Sequence, residues 1–192
     1  MQAGTVRLAG AGIRSLGATA TVSNGAVLDF NNGNFTDAGG TFGGAGSSQF
    51  SGGTLTLNTN ILAGLRHTGG TVVLGPQFQQ AGAITNLTLD GSTLNGPDHR
   101  VGSGLLTVNG GGLTGKLTVE APGELRFASG ASKSIYSLTL VNHGTVRHQD
   151  GSLHHGATPA TVITNTGLWD IQGDLTFSQG IGGPQSRWVN TG

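Results

Sequence analysis

A short alternating strand, written x-Leu-Thr-Leu or x-Leu-Thr-Val, returns along this chain and limits its fold more than any other feature. It occurs as TLTLN at 54–58, NLTLD at 86–90, LLTVN at 105–109, KLTVE at 116–120, SLTLV at 137–141 and DLTFS at 174–178. Alternation with a period of two sends the apolar residues to one face of a strand and the threonine to the other. A second strand type opens on glycine: GTVRL (4–8), GTVVL (70–74), GELRF (123–127), GTVRH (144–148) and GLWDI (167–171). Its glycines fall at 123, 144 and 167, and the last turn of the chain repeats the glycine at 192, in steps of 21, 23 and 25. Gly4 to Gly25 and Gly70 to Gly91 repeat the step of 21. Short strands at a period in the twenties predict an all-β fold, a parallel β-helix or β-solenoid of about 21–25 residues per coil. A hairpin meander would need no such register. One coil is too small to bury its own apolar face, so coils must stack. At ~4.8 Å per coil, roughly nine coils make a rod on the order of 40 Å long.

The composition agrees. Glycine accounts for 37 of 192 residues without a Gly-X-Y period, which excludes collagen. Disorder is disfavoured in a chain that is 35% hydrophobic and uncharged overall. Nine basic residues, scattered and balanced by nine acids, form no stripe for nucleic acid. No apolar run approaches the ~18 residues of a membrane-spanning helix, so no membrane insertion is expected. The absence of cysteine excludes disulfides and thiolate metal sites. The opening MQAGTVRLAG has no signal-peptide pattern, so a leader for export is expected upstream.

The turns SNGAV, NHGTV, NTGLW and APGEL separate strands of one coil. Gly25, Gly123, Gly144, Gly167 and Gly192 are expected there in left-handed conformation, which glycine adopts without a Cβ penalty. Asn165–Gly167 and Asn190–Gly192 read as one corner in successive coils, and a chain ending on such a turn reads as residues 1–192 of a longer repetitive protein, a single solenoid segment. Residues 39–53, GGTFGGAGSSQFSGG, break the spacing and are expected to form an irregular glycine-rich loop.

Aligning the second strand type places Leu8, Leu74, Phe127, His148 and Ile171 at one inward position. It also places Arg126, Arg147 and Asp170 in one outward column, with Asp170 paired to Arg147. His143, His148, His154 and His155 lie close in sequence, but their spacing matches no familiar zinc signature, and they are read as structural. Asp150, Asp170 and Asp174 are isolated acids rather than the recurring carboxylate pair of a glycosidase. Thr56, Thr88, Thr107, Thr118, Thr139 and Thr176 form a candidate outward ladder, one threonine per strand, which could present hydroxyls to ice or carbohydrate. Strand preference alone also explains them. GGAGSS (43–48) lacks the lysine and helix of a phosphate loop, and GGxGxDx calcium repeats do not occur. The sequons at Asn34 and Asn86 are read as chance.

With both strand series laid out, x-N-x-G-T-V-x-L and G-x-L-T-V, most of the chain resembles the repetitive β-helix regions of large bacterial surface and secreted proteins. These are the autotransporter passengers and filamentous-haemagglutinin-type adhesins. The resemblance implies a right-handed parallel β-helix, export to the cell surface or medium, and work as a stalk or adhesive surface. It transfers no catalytic, cofactor-binding or metal-binding residue. Implied partners are neighbouring repeats, a second copy docked end to end, and a surface glycan or host receptor. Two other classes stay open. A carbohydrate-binding module would have only Trp169, Trp188 and Tyr136 beyond phenylalanine for sugar stacking. A pectin-lyase-like enzyme would need clustered acids or a basic residue in a groove, and Lys116 and Lys133 are the only lysines.

Overall fold

Strands of four or five residues with alternating apolar positions can each bury one face, and three of them complete a coil. The computed structural model describes residues 4–192, and no helix occurs among them. The chain forms a parallel β-solenoid of about nine turns, with coils about 21 residues apart. The first face stacks Thr5–Leu8, Val27–Phe30, Ser47–Phe50 and Leu65–His67. It continues with residues 86–89, residues 105–108, Glu124–Phe127, Thr145–His148 and Leu168–Ile171. The second face runs from Ile13–Leu16 through Gly33–Asp37, Gly53–Leu57 and Thr71–Leu74 to Lys133–Tyr136, Leu153–Gly156 and Phe177–Ile181. The third begins with Thr19–Val22 and Thr41–Gly44 and ends with Gly115–Val119, Leu138–Asn142, Val162–Asn165 and Arg187–Asn190. In the middle coils the two long strands Ala83–Leu94 and His99–Leu113 bend around the corners through shifts of register.

The inward side chains form one continuous core along the rod. Phe30, Phe35, Phe42 and Phe50 pack edge to face in the early coils. Leucine, valine and isoleucine fill the later ones, each contributing about 1.5–3 kcal/mol on burial. Leu8, Phe127, His148 and Ile171 do share one inward column, and the His148 ring stands edge-on to Phe127 at 5.8 Å. Leu74 does not belong to it. Thr71–Leu74 lies on the second face, with Leu74 beside Leu57, because Leu65–His67 already occupies the first face of that coil.

Residues 39–53 are not a bulging loop. They supply Thr41–Gly44, Ser47–Phe50 and the start of Gly53–Leu57, one strand on each face. Phe42 and Phe50 carry the buried positions, so two aromatic rings compensate for a stretch otherwise made of small residues.

The turn glycines divide. Gly25 has a φ of 74°, as expected. Gly123, Gly144, Gly167 and Gly192 are not in the left-handed region, and a different constraint holds them. A Cβ on Gly123 would stand 2.2 Å from the Gly102 carbonyl oxygen, and one on Gly144 would stand 2.4 Å from that of Gly123. On Gly167 it would meet the Gly144 oxygen at 2.3 Å, and on Gly192 the Thr166 oxygen at 2.4 Å. Each corner uses the space of the missing side chain to seat the backbone of the preceding coil.

The asparagines beside these glycines form a ladder. Asn142 and Asn165 are buried, at 0% and 3% exposure, and stack with Asn190. The Asn142 Nδ2 donates to Asn165 Oδ1 and to the Leu168 carbonyl, and Asn165 Nδ2 donates to Asn190 Oδ1 at 2.7 Å and to the Gly167 carbonyl. Asn165→Ala removes both of its ladder links and takes the asparagine acceptor from the buried Asn142 amide, so it should cost about 2 kcal/mol. A lowered urea midpoint with an unchanged slope would confirm this; an unchanged midpoint would contradict it.

The stack has one seam, between the fourth and fifth coils. Among the described residues no strand pairing joins Leu65–His67 to residues 86–89, while the second face continues through Thr71 with Thr93 and Val72 with Leu94. Side chains stand in for the missing ladder. The Gln79 carboxamide accepts from the Thr85 and Asn86 amides at 2.6 and 3.0 Å and donates to the Asn86 carbonyl at 2.7 Å. His67 Nδ1 donates to the Thr88 carbonyl at 2.9 Å, and Phe78 is fully buried beneath.

Candidate functional site

The outward positions of the first face hold a charged row. Register sets Arg7, Asp29, Gln49 and Arg66 in one row, and Thr88, Thr107, Arg126, Arg147 and Asp170 in its continuation beyond the seam. Four of the seven arginines lie in this row. Each is matched by a carboxylate. Arg7 meets Asp29 at 2.8 Å, Arg66 meets Asp90 at 3.1 Å, and Arg126 meets Glu124 at 2.7 Å. Arg147 Nε lies 3.3 Å from Asp170, the pair expected from sequence, without alignment for a hydrogen bond. Counted with the flanking Asp90 and Glu124, the row's four arginines are balanced by four carboxylates and leave no net charge for an anionic ligand. Asp29, Arg66 and Asp90 were not singled out from sequence, because their strands do not open on the glycine motif that defined the column; Arg7 and Glu124 lie in aligned strands, but nothing in the alignment marked their partners.

Asp29 shows how these pairs are seated. Burial raises its carboxyl pKa, but hydrogen bonds from Ser51, Arg7 and Gln49 outweigh that and hold it below the ordinary value. Asp37 on the second face is lowered likewise, with burial opposed by bonds from Gly39 and Thr59.

The six threonines do not form one ladder. Thr88 and Thr107 are neighbours on the first face. Thr56 lies on the second face between Thr36 and Val73, and the Thr176 carbonyl accepts from Leu153 there. Thr118 and Thr139 lie on the third, beside Arg100 and Val141, and Lys116 and Val162. Any face needs the same Leu-Thr alternation, so the motif alone does not assign a face. The structure does show a threonine array that sequence reasoning missed. Thr54 and Thr56 form a two-hydroxyl rank on one strand, with Asn34 and Thr36 on one side and Thr71 and Val73 on the other, and Thr93 follows Thr71. No charged side chain interrupts these positions.

The histidines go separate ways. His143 bonds Thr166, His148 Nε2 donates to the Gly151 carbonyl at 2.8 Å, His154 bonds Ser178 and His155 bonds Ser186. Among the described residues no three histidines or carboxylates group as a metal site. Asp170 is engaged by Arg147, and the Asp150 backbone carbonyl accepts from Lys133 at 2.8 Å. Lys133 is itself buried at an inward position of the second face, its ammonium also on the Ser129 carbonyl. Burial lowers its pKa, opposed by the charge of Asp150.

The clefts are small. One of about 180 Å³ lies at the seam between Leu62, Leu65, Arg66, His67, Asn86 and Asp90, and another of about 270 Å³ lies beside Phe42, Ser47 and Arg66. Both fall below the ~300 Å³ at which pockets for drug-sized ligands begin. Comparison with protein-family models, with curated proteins and with solved structures finds no match to this chain. Its class is that of the fold itself, a β-solenoid built of repeated parallel coils.

Proposed function

We propose that this chain is a non-catalytic structural or adhesive solenoid segment of a bacterial cell-surface or secreted protein. The observation that carries the reading is where the polar side chains go. Arginines and carboxylates of the first face bridge neighbouring coils, asparagines of the third face link into a ladder, and Gln79 and His67 splint the seam. Side chains engaged with their own stack support a structural rod better than a convergent reactive centre. Of the two lysines a pectin-lyase-like mechanism could use as a base, Lys133 is buried on two carbonyls and Lys116 is paired with Asp98. Incubation with polygalacturonate and pectin is expected to release no unsaturated sugar, and steady product formation would overturn the reading.

A carbohydrate-binding role is the second reading, favoured by the uncharged threonine ranks of the second face. If that face holds a neutral glycan, Thr56→Lys should abolish glycan-array signals that Thr118→Lys, on the third face, leaves unchanged. An extracellular or cell-surface location follows from either reading and is tested by surface proteolysis of cells producing the parent protein.

A further inference from the structure

The seam does not stop at the first face. On the third face the early stack ends at Ala63, bridged to Thr41, while Ala83 and Ile84 begin a new stack with Arg100 and Val101. Among the described residues no strand pairing joins Ala63 to Ala83 or Ile84. The gap therefore runs around the corner from the third face to the first, with residues 61–67 on one side and residues 83–89 on the other. Sheet membership records the same break. The early first and third faces are separate sheets of four and two strands, and the second face alone runs on into the sixteen-stranded sheet of the later coils. There Thr71 pairs with Thr93 and Val72 with Leu94. Beside them Ser92 Oγ donates to the Gly69 carbonyl at 2.6 Å, and the Thr93 amide donates to the Gly70 carbonyl at 2.9 Å. From the fifth coil onward every interface is laddered on all three faces.

We propose that this seam is a hinge: residues 4–74 and residues 83–192 swing about the second face, and the gap on the other two faces opens and closes. Gln79 is the latch. It lies in the insertion 75–82 between the two parts, at a φ of 47° that residues other than glycine rarely adopt. Its backbone amide donates to the Thr59 carbonyl at 2.7 Å and its Nε2 to Asn60 Oδ1 at 3.2 Å, both on the early side. On the late side its carboxamide accepts from the Asn86 amide and donates to the Asn86 carbonyl. These are the two backbone groups that a neighbouring strand would otherwise pair. One side chain thus bonds both parts. Further ties across the gap are the His67 bond to the Thr88 carbonyl and the Arg66–Asp90 pair, whose arginine is largely exposed. Each is a single side-chain contact, whereas the other interfaces are held by ladders along whole strands. A cleft of about 180 Å³ already stands open at this place. Stability in a stacked repeat is a sum over neighbouring interfaces, so the interface with the fewest ladder bonds parts first. The rod has one joint at a fixed position near its middle, and its two parts reorient there without either unfolding.

Spin-label distances test this, because the chain has no cysteine and labels go only where one is introduced. Ser47→Cys with Thr145→Cys marks outward positions of the first face in the third and eighth coils. Asn34→Cys with Ser134→Cys marks the second face in the second and seventh. All four side chains are at least partly exposed, and both pairs span five coils and cross the seam, about 24 Å in a straight rod. The hinge predicts a narrow distribution near that distance for the second-face pair. For the first-face pair it predicts a broad one with a component well beyond it. Gln79→Ala should shift weight into the long component on the first face and leave the second face unchanged. Gln79→Glu, which cannot donate to the Asn60 and Asn86 oxygens, should do the same. A side chain that only stabilised the fold would lower the unfolding midpoint without separating the two faces. A first-face distribution that is narrow, or that both variants leave unchanged, or broadening shared by both faces, would overturn the proposal. The comparison of faces with Gln79 intact decides it even where a variant fails to fold. The hinge rests on the stacked fold and not on the non-catalytic reading, which only the polysaccharide assay addresses.

Discussion

Replacing Gly144 with alanine should cost the protein about 3 kcal/mol or more, although the change adds a single methyl group. The position has no unusual backbone angle to lose. What the methyl would meet first is backbone, the Gly123 carbonyl oxygen at 2.4 Å and the Glu120 carbonyl oxygen at 2.5 Å, with the branched Val119 side chain behind them at 3.1 Å. None of these belongs to a flexible side-chain tip, so two successive coils must move apart at their shared corner. The same corner carries the hydrogen bond from the Gly144 amide to Asn142 and the stacked Gly167 above it, so the displacement reaches both neighbours. Stability in a repeat architecture is a sum of contacts between adjacent coils, and a wedge at one interface weakens the whole column. Gly43→Ala is the control. It is exposed, and a Cβ there meets nothing within 4 Å. Denaturant unfolding should show a large loss for Gly144→Ala and almost none for Gly43→Ala. Similar midpoints for the two would remove the close-approach account of the glycine column.

Acidification should destabilise the rod before its carboxylates titrate. His67, His99 and His148 are buried, at 4%, 4% and 3% exposure. Burial is the largest influence on each and pushes its pKa below the ordinary 6.5, only partly offset by hydrogen bonds and by Asp90, Asp98 and Asp150 respectively. For His148 the charge of Lys133 adds to the lowering. Above pH 6.5 these rings are neutral in both folded and unfolded chains, and their contribution to stability is complete. Below it the unfolded chain takes up protons that the folded chain refuses, so stability falls as the pH drops toward the folded-state values. Three such groups give a slope of up to about 4 kcal/mol per pH unit while all remain neutral in the fold. Asp29 and Asp37, whose pKa values are lowered in the fold, add a loss of the same sign in the more acidic range, as pH falls below the ordinary 3.8. Urea unfolding at pH 8, 6.5 and 5 should show a plateau followed by a steep decline, with proton uptake on unfolding. A flat profile across that interval would contradict the buried-neutral assignment of the three rings.

The coil length and the parallel stack were legible because the glycine-opened strands recur at 123, 144 and 167, where coil length varies by only a few residues. The pairing of Arg147 with Asp170 and the seating of His148 beside Phe127 followed from that alignment. Face assignment was not legible. The Leu-Thr motif satisfies the burial pattern of every face alike, which scattered the expected threonine ladder over all three. The glycine column was found for the wrong reason: sequence identifies a glycine but does not distinguish a left-handed turn from a position where another backbone fills the Cβ site. Gln79 and Phe78 carry no periodic signal at all. Their roles arise because one coil lacks a ladder on its first face and local side chains replace it.

Parallel stacking in register is the claim on which the charge row, the asparagine ladder and the glycine column all depend. Proton–proton contacts across neighbouring strands in solution measure it most directly. The account predicts contacts of Arg126 with both Thr107 and Arg147, and of Arg147 with Asp170, each pair on adjacent coils of the first face. Contacts that instead mirror about a turn, linking the end of each strand to the start of the next, would identify antiparallel hairpins and contradict it.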